Sequence, residues 1–173
     1  MITVFRCSSA GDEMSQIQKL MINGQPRETS SDGATPLLDV LRNEFGLMAT
    51  RFGCGAEACG ACMVLVDNAP TYACTRTIDT LSGKAVTTLE GLGGPGAPHP
   101  LQQAFLDEQA GQCGYCLSGI IISAKALLDG NPKPSRADIV AALDKHLCRC
   151  GAHTRIIRAV ERAAVAMAKE VRS

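Results

Sequence analysis

Nothing in this chain constrains its fold as tightly as the loop Gly53-Cys54-Gly55-Ala56-Glu57-Ala58-Cys59-Gly60-Ala61-Cys62, joined downstream by Cys74. Thiols spaced C-x4-C-x2-C with a distant fourth can be curled around one compact inorganic core, and this is the ligand spacing of a [2Fe-2S] cluster. A backbone that wraps so closely needs residues free to take positive φ and amides free to approach sulfur, which Gly53, Gly55 and Gly60 supply. A structural zinc site is the competing reading. Zinc usually pairs its thiolates as two separated C-x2-4-C knuckles, whereas three of these thiols crowd into nine residues. Cys54, Cys59, Cys62 and Cys74 form the first candidate ligand set.

Nine cysteines in 173 residues, behind an N-terminus without the continuous apolar core of a secretion signal, point to metal ligation in a reducing cytoplasm rather than to disulfides. Eight of them fall into two sets of four, and Cys7 is left over as a bystander. The second set stands in Gln112-Cys113-Gly114-Tyr115-Cys116, just before one predicted helix, and in Leu147-Cys148-Arg149-Cys150-Gly151, just after another. Two antiparallel helices bring such ends together, so C-x2-C and C-x-C can converge on one metal centre. Ligand softness alone leaves zinc and an Fe–S cluster open here, and the tightness of C-x-C for tetrahedral zinc favours the cluster. Because the cysteines complete both sets, His99, His146 and His153 are read as surface, capping or packing residues and none is assigned as a ligand.

Charge and aromatic content narrow the function classes. Lys plus Arg equals 17 and Asp plus Glu equals 17, so there is no basic excess for phosphate backbones, and nucleic acid is not an expected partner. With no Trp, two Tyr and four Phe, the chain has little aromatic surface to wall an organic substrate. No apolar run reaches the length of a membrane span.

Along the chain, residues 1–15 read as an extension. Ile17 to Thr29 read as a β-hairpin about Asn23-Gly24. Thr35-Pro36 starts a helix that carries Leu37, Leu38, Leu41 and Phe45 and stops at Gly46. Met63 to Val66 and Thr71 to Cys74 flank a turn at Asp67-Asn68-Ala69-Pro70, and Ala85 to Leu89 adds a further strand. Gly93 to Pro98 is a linker by composition. Helical signals then run over Leu101 to Gln109, Cys116 to Asp129, Arg136 to Leu147 with Ser135 as its N-cap, and Thr154 to Val171. The expected class is α+β: a sheet-and-helix domain over 16–92, a linker at 93–98, and a four-helix bundle-like domain over 99–173.

These cysteine motifs, together with Glu90-Gly91-Leu92 and His99-Pro100-Leu101-Gln102, resemble the small iron–sulfur subunits of the xanthine dehydrogenase / aldehyde oxidase family of molybdenum hydroxylases over about residues 17–165. The ending Leu-Cys-Arg-Cys-Gly-Ala-His and the short linker look most like the nicotinate dehydrogenase and isoquinoline oxidoreductase branch. The resemblance implies a plant-type ferredoxin-like (β-grasp) domain whose Cys54, Cys59, Cys62 and Cys74 ligate an outer [2Fe-2S] cluster. It implies a helical domain whose Cys113, Cys116, Cys148 and Cys150 ligate an inner one. It further implies a large molybdopterin-binding partner carrying molybdopterin cytosine dinucleotide, with Gln112 matching a glutamine that reaches that cofactor and Tyr115 and Arg149 acting in packing and sulfur shielding. Electrons would pass from the molybdenum centre through both clusters to an FAD subunit or a c-type cytochrome. The substrate would be an N-heteroaromatic compound such as nicotinate, oxidised outside this polypeptide, which is not catalytic alone. The complex would be cytoplasmic or held at a membrane through a partner. Two segments depart from the family pattern: residues 1–13 are a longer lead-in, and Asn68-Ala69 stands where Asp-Gly is common.

Alternatives from other classes stay open at the level of sequence. They are the small subunit of a related aldehyde or CO dehydrogenase, a stand-alone two-cluster ferredoxin, a zinc-stabilised interaction module and a thiol redox sensor. A free ferredoxin would more often be strongly acidic, whereas this chain is neutral.

Overall fold

Asn23 and Gly24 take φ of +51° and +74°, the left-handed pair that closes a two-residue hairpin without splaying its strands. They join β1 (Gln18–Ile22) to β2 (Gln25–Thr29) with Ile22 opposite Gln25. The structure, a computed structural model, describes residues 17–170; the extension at 1–15 and Cys7 lie outside them. Pro36 precedes α1 (Leu37–Asp39), which runs on into a wider π-helical turn (Val40–Glu44) and ends near Gly46 at φ +68°. The widening is held by the Phe45 amide donating to Val40 O at 3.1 Å. Leu37, Leu38, Val40 and Leu41 are buried against the sheet.

β3 (Met63–Val66) and β4 (Ala69–Tyr72) form the second hairpin. Its turn is Asp67-Asn68 alone, at φ +49° and +66°, so β4 begins two residues earlier than expected and Cys74 lies past its end. Pro70, which has no amide to donate, is tolerated because β4 is the edge strand. β5 (Ala85–Thr87) pairs parallel with β1 and antiparallel with β3, giving the sheet order β2-β1-β5-β3-β4. The last strand is two residues shorter than the sequence suggests. The Thr88 amide donates to Asn23 Oδ1 at 2.8 Å and its hydroxyl to Glu90 Oε2 at 2.6 Å, which takes the chain off the ladder.

α2 (Pro100–Asp107) starts from a capping box in which His99 Nδ1 accepts from the Leu101 amide and Gln102 Oε1 accepts from the His99 amide. α3 (Leu117–Gly130), α4 (Arg136–Leu143) and α5 (His153–Glu170) follow. Ser135 caps α4 as expected, its hydroxyl accepting from the Asp138 amide at 3.2 Å. α4 stops at Leu143 rather than Leu147, because the Leu147 amide leaves the helix to donate to Cys59 O at 3.1 Å.

One core, including Leu20, Ile22, Leu38, Val64, Ile78 and Val86, fills the space between sheet and α1. Another, including Leu101, Phe105, Ile120, Ile139, Ile156 and Val160, lies among the helices. β3 is buried on both faces. Val64 and Val66 join the first core, while Met63 and Leu65 turn to the opposite face and meet Ile122 of α3. The chain is α+β, and α3 lies across the sheet with both cysteine loops near its N-terminal end.

Candidate metal centres

Between α1 and β3 the chain wraps tightly. Gly55, Glu57 and Gly60 have φ of +66°, +57° and +73°, and a Cβ on Gly53 would stand 2.5 Å from Cys59 Sγ. The curl aims amides at sulfur: Ala56 and Ala58 donate to Cys54 Sγ at 3.3 and 3.2 Å and hold that thiol down to about 7. Cys62, at the foot of β3, is 1% exposed, and burial pushes its thiol up to about 12; the Cys74 amide opposes the shift and the Cys74 thiol adds to it. The four thiols thus stand as two pairs, Cys54 with Cys59 and Cys62 with Cys74.

The second set is assembled by two turns. Gly114 at φ +76° lets Cys113-Gly114-Tyr115-Cys116 curl into the start of α3, and Gly151 at φ +69° reverses the chain after Cys150. Cys150 and Cys113 lie with their sulfurs 3.5 Å apart, and Cys116 is paired with Cys148. Burial pushes the Cys116 thiol up to about 12. Burial also opposes ionisation of Cys148, but amides led by that of Ala152 outweigh it and the thiol is lowered; the Tyr115 amide lowers Cys113.

Tetrahedral zinc would need four sulfurs about 2.3 Å from one point. Among the described residues no group of three or more Cys, His, Asp or Glu gathers around a single-ion position. Each set is instead divided two and two, which suits a two-iron core with a pair of thiolates on each iron. Amides directed at Cys54 Sγ fit the same group, since hydrogen bonds to sulfur tune such clusters.

Arg51, Ser118 and Ser123, which sequence reading did not single out, join Tyr115 and His146 in holding the two loops side by side. Arg51 donates to Gly114 O at 2.5 Å and lies 5.3 Å from the centre of the Tyr115 ring, while the Tyr115 hydroxyl donates to Phe52 O. Ser118 donates to Ala61 O at 3.5 Å. His146, only 5% exposed, shares a 2.7 Å hydrogen bond with Ser123 of α3, and burial lowers its pKa to about 4. These contacts join positions 23 to 64 residues apart, and no local pattern signals them. Gln112 is exposed at the lip of an open cleft of about 580 Å³ that Gly93, Pro98, Phe105 and Leu117 help to line, and Arg149 is exposed.

Comparison with known proteins gives this geometry its context. A family model described as a 2Fe-2S iron-sulfur cluster binding domain matches residues 20–84, and one described as a [2Fe-2S] binding domain matches residues 88–161. A nicotinate dehydrogenase subunit from Pseudomonas putida is 52% identical over 145 residues, which are 84% of this chain and 92% of that protein. The chain belongs to the [2Fe-2S] iron–sulfur subunits of the xanthine dehydrogenase family. The alpha subunit of isoquinoline 1-oxidoreductase from Brevundimonas diminuta is a further relative at 47% identity, covering 84% of this chain and 96% of that one. Among solved structures, quinoline 2-oxidoreductase from Pseudomonas putida 86 superposes with a TM-score of 0.85 at 33% identity, over 91% of this chain and 98% of that one. The aldehyde oxidoreductase of Desulfovibrio desulfuricans superposes with a TM-score of 0.86 at 40% identity over 90% of this subunit, which spans 17% of that longer chain. As a member of this family the iron–sulfur subunit serves electron transfer within an oxidoreductase complex.

Proposed function

We propose that Cys54, Cys59, Cys62 and Cys74 hold an outer [2Fe-2S] cluster and that Cys113, Cys116, Cys148 and Cys150 hold an inner one. The domains divide at the 93–98 linker into a β-grasp unit and a four-helix unit. The observation that carries this reading is the two-and-two arrangement of the thiols in each of the two sets of four. A [2Fe-2S] group passes one electron at a time, so two of them let a two-electron oxidation at molybdenum unload in single steps. The chain's own part is to hold the thiolates, to direct the Ala56 and Ala58 amides at sulfur, and to bury Cys62 and Cys116 away from water.

In this reading the inner loops face a large molybdenum subunit carrying molybdopterin cytosine dinucleotide. Gln112, exposed on the lip of its cleft, extends toward that cofactor. Electrons leave from the outer cluster to an FAD subunit or a c-type cytochrome in a cytoplasmic complex. An N-heteroaromatic substrate such as nicotinate is favoured over an aldehyde. Identity to the nicotinate dehydrogenase relative is 52%, against 39% to PaoA, the iron–sulfur-binding subunit of an Escherichia coli aldehyde oxidoreductase.

Rapid-freeze EPR of the purified complex after mixing with nicotinate tests the order of the two centres. Cys150→Ser should block substrate-driven reduction of the outer cluster. Cys59→Ser should leave the inner cluster reducible by substrate while stopping transfer to the external acceptor. Loss of inner-cluster reduction in an assembled Cys59→Ser complex would reverse the proposed order, and reduction by an aldehyde but not by nicotinate would change the substrate class.

A further inference from the structure

Three elements meet where the two cysteine loops adjoin, and each does so one to three residues from a candidate ligand. Gly60 follows Cys59, Gly119 lies one helical turn after Cys116, and His146 stands two residues before Cys148. Their approach leaves no room for a side chain. A Cβ on Gly119 would stand 1.9 Å from Gly60 O, and one on Gly60 would stand 2.2 Å from His146 Nδ1. The imidazole is inserted between the loop and α3. One edge is fixed by the 2.7 Å hydrogen bond between Nε2 and Ser123 Oγ, while the buried Nδ1 faces the Gly60 backbone without a hydrogen bond of regular geometry. Immediately after the ring, the Leu147 amide donates to Cys59 O at 3.1 Å. Among the described residues this is the backbone hydrogen bond that directly joins the two loops, linking a residue of the outer set to the residue before Cys148.

Packing alone does not account for this side chain. A buried polar nitrogen that meets its backbone neighbour only in poor geometry costs free energy that an apolar group of similar size would avoid. The other half of the ring makes a directional bond, which fixes rotation about the ring axis in a way that Leu or Phe could not. We propose that His146 is a positioning residue: held by Ser123 and wedged against Gly60, it sets the register in which the Leu147 amide meets the Cys59 carbonyl. In doing so it fixes the spacing of the two cysteine sets. The path from Cys59 Sγ to Cys148 Sγ then runs through covalent bonds and that single hydrogen bond, with no gap through space. This inference rests on the two-cluster reading above and adds the device that holds the centres at working distance.

The test uses the intact, cluster-loaded complex and needs no turnover. After photoreduction at substoichiometric electron dose, rapid-freeze EPR follows one electron leaving the inner cluster as the outer one is reduced. Redox titration of the same samples gives both potentials. His146→Leu, which keeps the volume, and Ser123→Ala, which removes only the anchor, should each lower the rate of transfer, because each loosens the Leu147–Cys59 hydrogen bond. Each cluster should keep its own spectrum, and the magnetic interaction between the reduced clusters should weaken. His146→Gln, which retains an amide able to reach Ser123, should restore much of the rate. Transfer and magnetic interaction that stay unchanged in both His146→Leu and Ser123→Ala overturn the proposal and leave His146 as a packing residue. If His146→Leu does not assemble, Ser123→Ala alone decides between these outcomes. Absence of two cluster signals in the unsubstituted complex would instead defeat the functional reading on which the proposal stands.

Discussion

Gly53 and Gly60 show how closely the outer loop is drawn around its thiols. At Gly53 an added methyl group would meet the Cys59 sulfur itself, at 2.5 Å. Gly53→Ala should therefore displace that ligand and bleach the outer cluster's EPR signal while the inner signal persists; equal retention of both signals would show that the loop has slack. Gly60→Ala places a side chain at φ +73° and 2.2 Å from His146 Nδ1, combining left-handed strain with overpacking. It should cost on the order of 3 kcal/mol, read as a lower unfolding midpoint of the complex. The need for glycine is legible in the sequence, and Gly55 and Gly60 take the positive φ it predicts; Gly53 does not, and is instead required by its contact with sulfur, while Glu57 takes positive φ without being glycine. The identity of what each glycine faces is not legible there, since Gly60 meets a histidine 86 positions away. For His146 the sequence leaves surface, capping and packing roles open, and the structure selects packing: a lone histidine in Asp144-Lys145-His146-Leu147 looks the same whether it is solvated or 5% exposed.

At the scale of elements, legibility followed the range of the forces involved. The Asn23-Gly24 hairpin and the Ser135 cap were readable because a turn or a cap is decided by a few adjacent residues. The ends of β5 and α4 were not. Asn23 captures the Thr88 amide and Cys59 captures the Leu147 amide, partners 65 and 88 residues distant that no local pattern reveals. Ser135→Ala should cost about 1 kcal/mol, the usual worth of an N-cap, measurable as a small fall in the thermal midpoint. Asp138, which closes that cap, has its carboxyl lowered by the Ser135 hydroxyl and amide. A carboxyl with a depressed folded-state pKa contributes stability that is complete above its unfolded value and fades as pH falls through the folded one. The difference in midpoint between the parent and Asp138→Asn should therefore shrink on acidification below the ordinary Asp pKa of about 3.9, and a difference that grows there would contradict the cap's role.

Across the whole molecule, the sheet and the helices are not independent. β3 is shared between cores, and Gly119 of α3 lies against Gly60 so closely that an added Cβ would stand 1.9 Å from its carbonyl oxygen. Because that contact is with backbone, Gly119→Ala cannot be relieved by a rotamer change and should cost on the order of 3 kcal/mol. It should loosen both cysteine loops together, seen as parallel loss of the two cluster signals on warming; loss of one alone would mean that the halves hold their clusters separately. Composition predicts a linker at 93–98, and the structure ties its two sides together: Gln102 donates across it to Leu89 O and Gly93 O, and Ser118 donates to Ala61 O beside the cysteine loops. The central claim is that eight thiols of this chain hold two [2Fe-2S] clusters, and iron and acid-labile sulfide analysis with EPR of the dithionite-reduced complex tests it most directly. With two of each per cluster, about four iron and four sulfide per chain with two distinct [2Fe-2S] signals are expected. Stoichiometric zinc, or one cluster's worth of iron in the intact complex, would contradict it.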